Sequence, residues 1–432
     1  MGEKNVLVLL WHSQNERCIK SLPESISKKY NFFYQQTGKY DPRTSKFTLL
    51  DYVEDAKDLI KKHNISILLS INVDLANMVT AVLAREMPEL KLRAPSVESI
   101  FLCHHKYYAR CFMDPDPMPF ALFDLSTEDF AGACDEVVQK VPFPAFLKPC
   151  SGTRSEGIAN IPTKEQLAPK LKEFMRKYIE SDVSSVRPIL TKVLNPFYSK
   201  YVDIERYPLS LVPSVLIEEH MGTVPSIRAD GYVFNGEIFH WALADNIYHT
   251  AKPQCFIAIA HPSLTPAAIQ EKVWKLYDEV LHKMIACGFD NQFVNIEMFI
   301  LENKLRIMEI NPRNGLNVAL YSGQVFDQTI TEALLKIGQG IHPGTPVANG
   351  RHAFFGYVNT TGSGKAKEFL DFNADPTIDP LVTPDDIVDG SGDSGCILAR
   401  MSVAGESRED VMEKYKAICR KVLLKPELSL WD

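Results

Sequence analysis

The sequence predicts an α/β protein with a more mixed, α+β second half, on three observations. Asn5-Val6-Leu7-Val8-Leu9-Leu10 is a short apolar run suited to a buried parallel strand, and Ile65 to Ile71 repeats that character. A helical pattern around Asp55 to His63 separates the two runs. Further on, Val294 to Leu301 and Leu305 to Asn311 flank Glu302-Asn303-Lys304 as two strands flank a tight turn.

The remaining elements follow in chain order. A helix from about Leu75 to Glu86 completes the first alternation, and no GxGxxG follows the first strand, which removes the main support for a nicotinamide enzyme. Ser96 is placed to cap a helix that carries Lys106 and Arg110. Apolar Ala145-Phe146-Leu147 runs into Lys148-Pro149 and then into Ser151-Gly152-Thr153-Arg154-Ser155-Glu156-Gly157, whose glycines bracket a hairpin-like loop. Lys164 to Pro213 is too long for a simple connection and is expected to hold one helix plus an irregular excursion. Thr265-Pro266 supplies an N-cap and first-turn proline for a helix with Ile269, Val273, Leu276, Val280 and Met284 on one face, ending before Gly288. A strand over Ala353 to Val358, a Gly-Ser turn at Thr361 to Gly364 and a helix after Arg408 close the chain, with domain boundaries expected at 1–95, 96–222 and 223–432.

Composition bounds the function. With 432 residues, 45% hydrophobic and 23% charged, the chain reads as a globular protein of two or three domains. A net charge of −7 argues against a surface built for nucleic acid, so any phosphate-binding cleft must be basic locally. No apolar run approaches the roughly 20 residues that span a bilayer, and Met1-Gly2-Glu3-Lys4 leads straight into a strand, so a cytoplasmic protein without membrane contact is expected. Nine cysteines lie scattered without CxxC spacing, which predicts reduced thiols, with Cys150 a packing residue rather than a nucleophile.

The hairpin carries the chemistry. If Leu301 pairs with Leu305, counting back along both strands sets Glu297 directly opposite Glu309, and the two-residue period adds Asn311 to that face. Arg313 joins them if the strand stays extended beyond Pro312. Facing carboxylates repel, so the arrangement calls for a cation or a shared proton. Oxygen-only ligands select a hard ion, and magnesium typically completes its shell with water and nucleotide phosphates. The bland alternative is an exposed hairpin with solvated acids, in which a one-residue slip would move one carboxylate to the other face.

Glu309-Ile310-Asn311-Pro312-Arg313-Asn314-Gly315 closely resembles the E-x-N-P-R-x-G signature that ends the core of ATP-grasp enzymes, with Glu297 at the right spacing before it. The resemblance implies an ATP-grasp fold: an N-terminal Rossmann-like domain, a central small lid domain and a C-terminal catalytic domain. It implies that Glu297, Glu309 and Asn311 hold magnesium, with manganese as an alternative, and that Arg313, with Glu309 and Asn311, serves catalysis by stabilising the transferred phosphoryl group. Lys106 and Lys148 match the two lysines that contact ATP phosphates. The loop with Ser151, Gly152, Thr153, Ser155 and Gly157 offers backbone amides that approach phosphate without a Cβ in the way. Ser214 to Gly222 resembles the strand-to-hinge segment that reads adenine, with Glu218, Glu219 and Met221 as the contacts. Where the family often places an acid for the ribose, this chain reads Thr223-Val224-Pro225-Ser226, so no ribose residue is assigned.

By this resemblance the chain is expected to be a carboxylate–amine ligase. A substrate carboxylate attacks the γ-phosphate of ATP, and an amine then displaces phosphate from the acyl phosphate. Amino-acid-like substrates are favoured by similarity of element order to L-amino-acid ligases and carnosine synthases. Arg228 is a candidate for a substrate carboxylate and His249 or His261 for assisting the amine, each against the reading of an ordinary polar residue. Partners are then a small carboxylate and a small amine, with a homodimer left open. The alternatives are an ATP-grasp ligase of purine or cofactor metabolism and a non-catalytic ATP-binding regulator.

Overall fold

The structure is a computed structural model that describes residues 4–11, 13–36, 48–151, 157–180, 189–249, 256–302, 304–391 and 395–430. The first apolar run forms β1 (Lys4–Trp11), flanked in parallel by β2 (Tyr30–Gln36) and β3 (Ile67–Leu69) in the order β2-β1-β3. β2 was not foreseen, because Tyr30-Asn31-Phe32-Phe33-Tyr34 mixes polar and aromatic residues where the other two strands are aliphatic. Helices Leu49–His63 and Asp74–Glu86 alternate with these strands.

A four-stranded antiparallel sheet follows: β4 (Phe120–Asp124), β5 (Ala145–Pro149), β6 (Ala159–Ile161) and β7 (Ser214–Glu219), in the order β4-β7-β5-β6. The helix capped by Ser96 covers only Val97–His104, rather than continuing through Lys106 and Arg110. His105 leaves helical geometry (φ −83°, ψ 99°), and the Lys106 N–H is donated at 2.8 Å to the carbonyl of Cys150 instead of to the preceding turn. Between β6 and β7 the expected single helix is also corrected. Leu167–Phe174 and Asn195–Tyr201 are both helical, because two separate apolar sets, Leu167, Leu171 and Phe174 and then Phe197, Tyr198 and Tyr201, are each buried.

The largest sheet has eight strands: β8 (Ser226–Phe234), β9 (Glu237–Tyr248), β10 (Phe256–His261), β11 (Gln292–Ile300), β12 (Leu305–Asn311), β13 (His352–Thr360), β15 (Asp379–Pro380) and β17 (Cys396–Gly405). Its order is β12-β11-β8-β9-β10-β13-β17-β15, and β14 (Ser363–Lys365) with β16 (Ile387–Asp389) forms a small ribbon beside it. On one face Ile227, Ala229, Val294, Ile296 and Met298 pack against Val273, Tyr277, Val280 and Met284 of the helix Ala267–Ala286. Each fully buried Val, Ile or Met of this set contributes about 1.5–3 kcal/mol. That helix starts one position later than expected: Pro266 is the N-cap, and the Thr265 hydroxyl is turned to Asp245 rather than capping. The opposite face, with Tyr232, Phe293, Ala242 and Ile259, is covered partly by helices Leu316–Val325 and Ile330–Gly338, which also pack on Val6, Val8 and Ile67 of the first sheet. Helix Arg408–Val422 covers β13 and β17 through Val411 and Tyr415. Among the described residues every cysteine is free, and no helix is long and apolar enough to cross a membrane.

Candidate active site

Strand alternation fixes the acidic face. Because Val294, Ile296 and Met298 enter the helix-covered core, Asn295 and Glu297 must point the other way. Glu297 pairs with Glu309, and Asn295 with Asn311, as the hairpin count anticipates. At the turn the register is shifted by one residue from that count: Ile300, not Leu301, faces Leu305. A β-bulge restores the register, since Met298 faces Ile307 and Met308 is the extra residue. Arg313 does not arrive by an extended strand. β12 ends at Asn311, and the Arg313 N–H closes a tight turn onto the Asn311 carbonyl at 2.7 Å.

Four cations surround these acids. Lys106 Nζ lies 2.9 Å from Glu309 Oε1, and Arg228 Nη1 lies 3.0 Å from Glu297 Oε1. Arg313 donates Nη2 to Asn311 Oδ1 at 2.9 Å and pairs with Asp74 at 3.3 Å. Lys148 Nζ is 2.5 Å from Glu218 Oε1 and 3.5 Å from the Met308 carbonyl. The two glutamates differ electrostatically. Burial pushes both towards the neutral acid; for Glu309 this is outweighed by the cations of Lys106, Lys148 and Arg313, which hold it below the usual range. For Glu297 burial prevails over Arg228, and its neighbour Glu309 adds to the upward shift. The Glu309 side chain is 38% exposed against 11% for Glu297, so Glu309 is the one that opens to the cleft.

Several residues that the sequence did not single out hold this face together. Asp230, 1% exposed, accepts from Asn295 Nδ2 at 3.0 Å and from the Gly315 N–H at 2.8 Å. Asn295 Oδ1 in turn accepts from Asn311 Nδ2 at 3.2 Å, which fixes the Asn311 amide with its oxygen towards Arg313. Burial raises the Asp230 carboxyl to about 6 despite those donors. Asn77 holds the loop after β12 by donating to the Pro312 carbonyl at 2.6 Å. A signal for Asp230 was available: an acid two positions from Arg228 in an otherwise apolar strand. Asp74 and Asn77 had none beyond their place after a parallel strand.

The other expected positions are distributed as follows. Ser151 is buried after β5, and Gly157 opens the way to β6 in a left-handed conformation (φ +77°); Gly152, Thr153 and Ser155 lie outside the described residues. Glu218 is buried in β7, where its carboxylate is bound by Lys148 and Arg110. Glu219 follows it, donating its N–H to the Pro119 carbonyl, and Met221 is half-buried just before Gly222. His249 is half-buried after β9. His261 is 6% exposed, donates Nδ1–H to the Leu243 carbonyl at 3.2 Å, and stacks on Tyr321, so it sits in the aromatic packing beneath helix Leu316–Val325. Cys150 is buried, which pushes its thiol up to about 12 and keeps it protonated.

The donor set fits a hard divalent ion. Glu297, Glu309 and Asn311 offer side-chain oxygens on one face, and among the described residues no group of three or more His, Cys, Asp or Glu forms a protein-only cage. Such a partial shell suits magnesium shared with phosphate oxygens. A separate hollow of about 490 Å³, lined by Ala81, Arg85, Glu98, Tyr201 and Tyr207, lies away from this face.

A parallel N-terminal sheet, a small antiparallel sheet carrying Lys148 and a large sheet ending in the acidic hairpin together make the ATP-grasp fold of ATP-dependent ligases. The L-amino acid ligase from Bacillus licheniformis has it with a TM-score of 0.71 at 10% identity, over 98% of this chain and 99% of that one. Phosphoribosylglycinamide synthetase from Anaerococcus prevotii gives 0.61 at 14% identity over 98% and 99%, and biotin carboxylase from Campylobacter jejuni gives 0.62 at 14% over 97% and 91%. No family model and no curated protein matches the chain.

Proposed function

We propose that the protein is an ATP-dependent carboxylate–amine ligase that makes an amide bond through an acyl phosphate, releasing ADP and phosphate. The observation that carries this is the facing pair Glu297 and Glu309, bordered by Lys106, Arg228 and Arg313. Glu297, Glu309 and Asn311 would hold magnesium, which supplies charge neutralisation at the nucleotide phosphates. Lys106 and Lys148 bind phosphate oxygens, and the segment from Glu218 to Met221, with Glu219, forms the adenine side. The loop of Ser151, Gly152, Thr153, Ser155 and Gly157 is assigned to phosphate binding for its glycine-rich sequence. Arg313, oriented by Asp74 and Asn311, neutralises the phosphoryl group as the substrate carboxylate attacks it. Arg228 lies on the neighbouring strand, where it can draw in a substrate carboxylate. His249 is the candidate near the acceptor amine; the buried, neutral His261 is the weaker one.

Amino-acid-like substrates are supported by the full-length likeness to an L-amino acid ligase. Residues 96–222 then form the nucleotide side and 223–432 the catalytic side, after a preamble of 1–95. The test is a panel of amino acids, β-amino acids and simple amines, read by phosphate release and product mass. With the productive acid labelled by heavy oxygen in its carboxylate, released phosphate should carry one label. AMP and pyrophosphate, or unlabelled phosphate during coupling, would overturn the acyl-phosphate route.

A further inference from the structure

Arg110 has a 3% exposed side chain and lies four residues beyond Lys106, yet it touches three separate parts of the fold. Nε and Nη2 reach Glu218 Oε2 on β7 at 3.1 and 3.0 Å, and Nη1 reaches Asp114 Oδ2 at 3.4 Å. Nη2 also donates at 2.8 Å to the carbonyl of Met308 on β12. Met308 is the bulged residue, for which β11 offers no paired position, and it directly precedes Glu309. Glu218, held by Arg110 through one oxygen, holds Lys148 through the other. One guanidinium therefore joins the small sheet to the acidic hairpin, beside the longer 3.5 Å contact of Lys148 Nζ with the same Met308 carbonyl.

We infer that Arg110 is a positioning residue, which sets Lys148 and Glu309 in a common frame through Glu218 and the Met308 carbonyl. The inference rests on the reading that Lys148 binds nucleotide phosphate. A planar fork can meet two acceptors in fixed directions at once; an ammonium is a single point charge and cannot impose the same geometry. The charges also balance: Arg110 and Lys148 stand against Glu218 and Asp114, so the buried cluster needs no further counter-ion to exist. Its role is thus geometric, and losing the fork should be felt as weaker nucleotide binding before it is felt as unfolding.

The experiment is equilibrium titration of ATP with magnesium, alongside thermal melting, for the wild type, Arg110→Lys, Arg110→Met, Lys148→Met and the Arg110→Met/Lys148→Met double variant. Arg110→Lys should melt within a few degrees of wild type and bind ATP about tenfold more weakly. In the double variant the two losses should not multiply, because both act at one contact. If Arg110→Met does not fold, Asp114→Asn replaces it: it keeps the acceptor for the Asp116 N–H and removes the charge facing Arg110, and should also weaken ATP. Wild-type ATP affinity in Arg110→Lys and Asp114→Asn, or fully multiplying losses, would overturn the inference. Unchanged affinity in Lys148→Met would instead overturn the nucleotide role of Lys148 on which it rests.

Discussion

Replacing Glu309 by Gln keeps the side chain's shape and one oxygen but removes the charge that faces Lys106 at 2.9 Å. At an effective dielectric constant near 20, that pair has a gross attraction of about 6 kcal/mol. The net loss is far smaller, because Glu309 is 38% exposed and solvent screens it, and because Gln still accepts a hydrogen bond. Stability should fall by about 1–2 kcal/mol, a melting shift of a few degrees. Turnover should respond much more strongly, since the lost charge faces the developing phosphoryl charge balance rather than the core; a drop of about 10²–10³ is expected. ADP release at saturating ATP and magnesium measures it, with circular dichroism and melting run on the same preparation. Turnover within threefold of wild type, in a protein of wild-type fold, would refute the assignment of Glu309 as a metal ligand.

Three further outcomes follow from the geometry. Lys148→Met should weaken ATP binding about tenfold or more while leaving the amine's KM little changed, because it removes a cation from the phosphate side; a titration against ATP alone decides it. Gly231→Ala should destabilise by about 1–3 kcal/mol, as a Cβ there would stand 2.5 Å from the Phe239 carbonyl and 2.7 Å from Tyr277 Oη; an unchanged melting temperature would show that the helix Ala267–Ala286 yields at no expense. Burial lowers His261 to about 4, so the unfolded chain binds more protons than the folded one between pH 6.5 and about 4. Stability is fully present above pH 6.5 and declines as pH falls towards 4, by an upper bound on the order of 3 kcal/mol from this residue. His261→Phe should flatten that decline in urea unfolding series; an identical pH slope would show that His261 does not take up the proton.

What the sequence determined by itself was local. Strand alternation and a short turn are enough to set Glu297 opposite Glu309, because the side-chain period is two whatever the rest of the chain does, and the bulge at Met308 offsets the one-residue shift at the turn so that the pairing survives. The buried strand β1, the Ser96 cap and the helix before Gly288 were legible for the same reason: their causes lie within a few residues. The tertiary structure decided which charges meet. Arg110 and Glu218 are 108 positions apart and Asp74 and Arg313 are 239 apart, and in the sequence Arg110 and Asp74 each read as an ordinary surface charge. Only folding takes both members of such a pair out of water, and it is that desolvation which turns two unremarkable side chains into a fixed contact.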